Sequence, residues 1–279
     1  MDRTPLPAPI VLAHRTSLPV LLSVPHSGRA YPDWLIGQSL SGLASLQALE
    51  DPLVDRLAWR AIAAGHGAVI AAAPRAAVDC NRAPDEIGPA TVLGSAPALV
   101  SRRAAAGLGI LPARTASHGR LWRSAATRDD FQRRLEEAHA PFHRAIEAGL
   151  DAIAARAGGA VLLDCHSMPP RRGQAELVIG NRNGSSAAGW LADAAARIAR
   201  AAGWSVALNA PYAGGYVVER HGDPQAAIHA LQLEIDRRCY LGADLRSPGL
   251  GFERSAQLIA LLALELGKIV ASPNAVAAE

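Results

Sequence analysis

Two apolar runs in this chain each end in a histidine followed by a serine. The first, Val20 to Gly28 (VLLSVPHSG), carries His26 and Ser27 to a glycine turn. The second, Ala160 to Pro170 (AVLLDCHSMPP), stops at Asp164, Cys165, His166 and Ser167 before a Pro-Pro break. Short runs of this kind read as strands buried on both faces, and open α/β sheets gather their ligands at the carboxyl ends of such strands. Two strands ending in imidazole can bring both rings to one rim of a sheet, as a metal centre requires. A catalytic zinc site takes three protein ligands, typically His with His or a carboxylate, and keeps a further position open. Glu50, Asp51 and Asp55 supply carboxylates just before and inside the first strong helical pattern, where Asp51 and Asp55 are spaced to share a helix face. The competing account makes the histidines ordinary loop residues and the acids helix caps. The repetition of the strand-then-histidine design weighs against it.

Other residues suit chemistry around such a centre. Val78 to Arg82 (VDCNR) sets Asn81 beside Arg82, and a planar guanidinium fork matches a carboxylate, against the alternative of a structural ion pair. Glu234 lies in HALQLEI, where a carboxylate on a largely apolar strand suits a general base; a structural pairing with Arg237 or Arg238 is its alternative. Gly214, Gly215 and Tyr216, followed by Arg220 and His221, form a loop that could close over a substrate. His139 and His143 have the i, i+4 spacing of the helical zinc-protease signature, but the run is HAPFH, without its glutamate, and packing is the default for this pair.

The elements that must position these groups alternate along the chain. A Pro-punctuated arm, with a short edge strand at 10–13, precedes the strand at 20–24. One or two short helices over 35–49 lead to a helix over 52–64 with Pro52 in its first turn, and strands are expected at 68–73 and 76–80. Residues 84–120 read as a long loop. A helical pattern over 127–157 is kinked or divided by Pro141. Further strands are expected at 176–179, 205–208 and 229–235, with helices at 187–202 and 252–266. This interleaving predicts one α/β domain over residues 1–279, its sheet layered between helices.

Composition narrows the class. Half of the 279 residues are hydrophobic, enough for a sizeable core, whereas aromatics are only 4%, which disfavours an aromatic-rich β-sandwich. The formal charge is +3, carried almost wholly by scattered arginines, so no basic block marks a nucleic-acid surface. Three widely spaced cysteines without CxxC spacing fit a reducing cytosol and argue against a disulfide framework. Neither a signal peptide nor a membrane-spanning run is expected.

Taken in order, PHSG at 25–28, EDPLVD at 50–55, VDCNR at 78–82, DCHS at 164–167, GGY at 214–216, RHG at 220–222 and QLEI at 232–235 resemble the N-formylglutamate amidohydrolase family. The resemblance implies a single carboxypeptidase-like α/β domain of the zinc-dependent exopeptidase type, with a mixed, mostly parallel sheet and helices on both of its faces. It implies hydrolysis of an N-acyl amino acid, typically N-formyl-L-glutamate in histidine breakdown, in the cytoplasm. On this resemblance His26, Asp51 and His166 are ligands of one zinc ion per chain, with Glu50 the alternative carboxylate, and Asp164 orients a histidine. Glu234 takes the place of the catalytic base, and Asn81 with Arg82 that of the substrate-carboxylate clamp, joined by Gly215, Tyr216 and Arg220 in binding the small-molecule substrate. Where the family carries Trp-His between the two acids of the helix motif, this chain has Pro52-Leu53, a departure that concerns the substrate more than the chemistry. The rival from another class is a non-catalytic α/β binding protein for an acidic metabolite. A serine hydrolase lacks its G-x-S-x-G elbow here.

Overall fold

The computed structural model describes residues 3–95 and 100–272. Its strands are β1 (Ile10–Leu12), β2 (Val20–Val24), β3 (Gly67–Ile70), β4 (Arg114–Thr115), β5 (Gly119–Arg120), β6 (Ala160–Met168), β7 (Leu177–Gly180), β8 (Val206–Leu208) and β9 (Ile228–Asp236). Seven of them form one sheet in the order β1-β3-β2-β6-β9-β7-β8, and β4 pairs with β5 in a small hairpin. β2 is parallel to β6, β6 to β9, and β7 to β8, while β7 runs antiparallel to β9. The sheet is therefore mixed and mostly parallel, the form that the family resemblance implies.

Alternation along the central strands separates chemistry from packing. Leu21 and Ser23 of β2 pair with Leu162 and Asp164 of β6, and Asp164 and His166 pair with Gln232 and Glu234 of β9, so these side chains share one face. Leu163, Cys165, Leu231 and Leu233 fall on the other, which is apolar. The helix Ala140–Ala157 reaches the first face, where Gly149 approaches Leu21, and the helix Phe252–Ala271 reaches the second, where Gly267 approaches Val20.

The chain divides into two compact units: Met1–Ile10, Pro25–Glu50 and Ile70–Arg144 make the first, and Val11–Val24, Asp51–Val69 and Ala145–Glu279 the second, which holds nearly all of the sheet. The first unit packs around Leu35, Leu46, Val78, Ile110 and Leu121. Buried Arg134 ties it together, giving hydrogen bonds to Asp130, to the Ala77 carbonyl and to Gln38. In the second, β6 is buried along all nine residues.

Several expected elements come out differently. The run from Ala160 does not end at Leu163 but continues as strand through Met168, because β9 pairs with it along the whole length and satisfies the backbone of the polar residues. Residues 76–80 form no strand; turn hydrogen bonds from Ala77 N–H to Pro74 and from Arg82 N–H to Asp79 replace a ladder. The helix expected over 52–64 is two short ones, Val54–Leu57 and Trp59–Ala63, and Leu53 ahead of them is left-handed (φ 62°). Asp51 therefore stands before the helix instead of sharing a face with Asp55. The pattern over 127–157 is divided, as Pro141 predicts: Arg128–Arg134 gives way to a π-helical turn over Leu135–His139, then Ala140–Ala157. Pro141 has no N–H to return to the preceding turn, and the widened turn accommodates that loss. The stretch 84–120 carries a short helix, Arg102–Ala105, and the β4–β5 hairpin. Among the described residues no helix is long and apolar enough to cross a membrane.

Candidate active site

The second unit gathers four acids and bases on the polar face of its sheet. His166 is buried, its Nε2 is 2.8 Å from Asp164 Oδ2, and its Nδ1 is 3.1 Å from Asp51 Oδ2. Burial alone would lower the imidazole pKa, but the Asp164 carboxylate, by charge and hydrogen bond, and then Asp51 hold it well above the usual histidine value. Asp164 is itself anchored, accepting a hydrogen bond from Ser23 Oγ at 2.7 Å. Asp51 is fixed from two directions. Arg237 Nη2 binds its Oδ1 at 3.1 Å while Arg237 Nε reaches Ser167 Oγ, and the turn that carries it is held by Tyr240, whose hydroxyl donates to the Pro52 carbonyl at 2.7 Å.

Glu234 stands in register with His166 on one side and Val178 on the other. It is nearly buried, and Gln232 Nε2 donates to its Oε1 at 2.9 Å. Arg237 goes to Asp51 and Ser167, and Arg238 goes to Asp236.

The first unit builds a second cluster around Asp79, which is fully buried. His26, two residues beyond the end of β2, places Nε2 2.7 Å from Asp79 Oδ1, and Arg75 Nε donates to Oδ2 at 2.8 Å. Burial would raise the Asp79 pKa, but Arg75, His26 and Arg82 together hold it well below the usual carboxylate value. The His26 turn is tight for a steric reason. A Cβ on Gly28 would lie 2.1 Å from the Ala73 carbonyl oxygen, so only glycine passes there. Asn81 is buried and donates its N–H to Asp79 Oδ1. Arg82 is buried too, its Nε on the Leu108 carbonyl and its Nη1 on the Asn81 carbonyl, both at 2.8 Å, and burial chiefly lowers its pKa. His139 and His143 stack with ring centres 4.4 Å apart and direct Nε2 to the carbonyls of Arg82 and Cys80. Their work is to hold this turn, in keeping with packing as the default for the pair.

The remaining expected residues divide. Gly215 commits its N–H to Gln232 Oε1 at 2.7 Å. Tyr216 and Arg220 lie on a short helix, Tyr216–His221, in place of an open loop, and Arg220 is exposed, facing the Tyr216 hydroxyl and Glu147. Glu50 accepts a hydrogen bond from the Tyr31 hydroxyl at 2.6 Å. Cys80 and Cys165 are free and buried, and burial pushes both thiols up, so neither suits nucleophilic work. Four contributors escape a reading of the sequence: Asp79, Gln232, Arg237 and Tyr240. The first two lie inside the VDCNR and QLEI motifs, next to residues that the motifs do single out. Arg237 and Tyr240 reach Asp51 and Pro52 across more than 180 positions, and no local signal marks them.

A mostly parallel sheet with buried, carboxylate-bound histidines at the carboxyl ends of its strands defines an α/β protein with the acid and base groups of a hydrolase. The chain belongs to the N-formylglutamate amidohydrolase family, whose model matches residues 18–241. It is 30% identical over 237 residues to an N-formylglutamate deformylase of Pseudomonas putida, covering 82% of this chain and 84% of the relative. A second N-formylglutamate deformylase, from Pseudomonas aeruginosa, is 29% identical, with 81% and 84% covered. The crystal structure of N-formylglutamate amidohydrolase from Ralstonia eutropha JMP134 is similar with a TM-score of 0.85 at 27% identity, over 94% of this chain and 98% of that one.

Proposed function

We propose that this protein hydrolyses the amide bond of an N-formyl amino acid, N-formyl-L-glutamate or a close relative, to formate and the free amino acid, with one zinc ion held by His26, Asp51 and His166. The deformylase relatives support the substrate class. The observation that carries the metal reading is the matched treatment of the two histidines: each has Nε2 on a buried carboxylate, Asp79 for His26 and Asp164 for His166, and Nδ1 of His166 faces Asp51, the third proposed ligand, at 3.1 Å. Carboxylates in that place fix the tautomer and make the ring a better donor, as second partners of metal-bound histidines commonly do. Two imidazoles and one carboxylate are a donor set that suits zinc, and these three buried residues make up a group able to hold a metal ion.

Zinc in such a site supplies Lewis acidity, polarising a carbonyl and acidifying a water. Glu234 takes the proton of the attacking water and delivers it to the amine nitrogen as the C–N bond breaks. Asp164 and Asp79 hold the imidazoles against rotation. Asn81 and Arg82 receive the substrate's α-carboxylate. Two of the Arg82 nitrogens are fixed on carbonyls, which sets the plane of the guanidinium, and among the described residues Nη2 makes no hydrogen bond. Gly215, Tyr216 and Arg220 line the approach. We read the whole as one catalytic domain of the zinc exopeptidase type, acting in the cytoplasm within histidine breakdown, a setting that three free cysteines suit.

The test is a panel of N-formyl and other N-acyl amino acids given to protein purified without chelators, with metal content measured on the same sample. Release of formate from N-formyl-L-glutamate by zinc-loaded protein, abolished by a chelator and restored by zinc, is the expected result. Binding of acidic amino acids with neither turnover nor metal would make it a binding protein instead.

A further inference from the structure

Gln232 lies between the Glu234 carboxylate and the Gly214–Gly215 segment, and its own orientation is determined. It is buried, in register with Asp164 on one side and Gly180 on the other. Its Oε1 is 2.7 Å from the backbone nitrogen of Gly215, and its Nε2 is 2.9 Å from Glu234 Oε1. A backbone N–H can only donate, so the amide oxygen must face Gly215, and the amide nitrogen, a donor, must face the carboxylate. The loop has little freedom to retreat from this arrangement. Ala213 accepts a hydrogen bond from the Arg182 N–H, and a Cβ on Gly180 would lie 2.7 Å from the Ala213 carbonyl carbon and 2.9 Å from the Gly214 nitrogen. The segment thus rests directly on the end of β7, beside Gln232.

We infer that Gln232 is a positioning residue for the reaction: it fixes the rotation of the Glu234 carboxylate by holding Oε1, and it ties that carboxylate to the Gly214–Gly215 segment. The inference rests on the reading of Glu234 as the base. A carboxylate held through one oxygen presents its other oxygen in a fixed direction. That matters for a group that has to accept a proton from water on one side and give it to nitrogen on the other. The two ends of Gln232 have different consequences. Loss of the Glu234 contact should slow the chemical step, while loss of the Gly215 contact should loosen the loop and weaken substrate binding.

Two substitutions separate these ends, with Glu234→Gln measured in parallel. Gln232→Met keeps the length and removes both hydrogen bonds. Gln232→Glu keeps an acceptor for Gly215 N–H and replaces the amide donor to Glu234. For zinc-loaded protein with N-formyl-L-glutamate, kcat should fall about 10-fold or more in both. KM and the affinity for the product L-glutamate, read by calorimetry, should worsen in Gln232→Met and stay near wild type in Gln232→Glu. If Gln232→Met does not fold, the Gln232→Glu split between kcat and KM decides alone. Wild-type kcat in either variant alongside an inactive Glu234→Gln overturns the inference and leaves the base assignment standing. Full activity of Glu234→Gln overturns both. A loss of melting temperature in the Gln232 variants with unchanged kcat and KM marks Gln232 as structural and likewise overturns the inference.

Discussion

His166 and Glu234 occupy paired positions on adjacent parallel strands, so the imidazole and the carboxylate rise side by side from the same face of the sheet. Neighbouring strands lie about 4.8 Å apart, and side chains at paired positions travel together. The relationship gives Glu234 a fixed station beside the proposed ligand. It also makes the carboxylate's role open to a direct measurement.

If Glu234 is the base, Glu234→Gln keeps the fold and the bound zinc but lowers kcat by about 100-fold or more. Melting temperature, metal content and kcat of this one variant decide the matter. Near-normal kcat in zinc-replete protein removes Glu234 from the mechanism.

The carboxylates behind the histidines should govern metal affinity separately from activity. Asp164→Asn and Asp79→Asn each leave the ring in place but replace its charged partner. Competition with a chromophoric chelator should show zinc binding weakened roughly 10–100-fold in each. Affinity equal to wild type in both would mean that zinc is not bound through these rings.

Arg82 serves structure and, on the proposal, substrate. Arg82→Ala removes hydrogen bonds to the Leu108 and Asn81 carbonyls in a buried setting, so the melting temperature falls. Among molecules still folded, kcat/KM for N-formyl-L-glutamate should drop by about 10-fold or more with zinc content unchanged. An analogue whose α-carboxylate is amidated should lose little between wild type and variant. An equal loss on both substrates moves the clamp elsewhere.

Three histidines away from the proposed ligands set an acid limit on stability. Burial lowers the pKa of His66 and His229, and burial together with Arg220 lowers His221 to about 4. The unfolded chain protonates these rings near about pH 6.5, above their folded values, so it takes up protons first as the pH falls. Their neutral forms leave the fold fully stable above that pH, and stability declines from there towards about pH 4. These three rings should therefore lower the urea midpoint between about pH 7.5 and about pH 5, against the opposite contribution of His166, and His221→Gln should show a shallower decline than wild type. A decline equally steep in the variant excludes His221 as a contributor.

Gly180→Ala tests the packing beneath the Gly214–Gly215 segment. The added methyl meets backbone, which cannot swing aside as a long side chain would. A destabilisation of about 1–3 kcal/mol is expected from overpacking, with KM raised as the segment is lifted. Unchanged stability in denaturant titration would show that the loop yields freely.

The sequence by itself determined the elements and the kinds of residue that they carry. Unbroken apolar runs make β2 and the start of β6 legible because burial on both faces leaves no alternation. Pro141 announces a divided helix because it has no N–H to give. The histidines, the acids and the Asn-Arg pair are legible because few side chains can bind metal, move a proton or grip a carboxylate. The tertiary structure decided what each of them faces. The extension of β6 through Met168 depends on β9, which supplies partners for a polar stretch that local pattern ends at Leu163. Asp51 leaves the helix because Leu53 turns left-handed, and Arg237 and Tyr240 then secure it from more than 180 residues away. Asp79 behind His26 and Gln232 behind Glu234 lie within two or three positions of residues that motif spacing singles out. Their use is set by hydrogen-bond direction and burial, which exist only once the chain has folded.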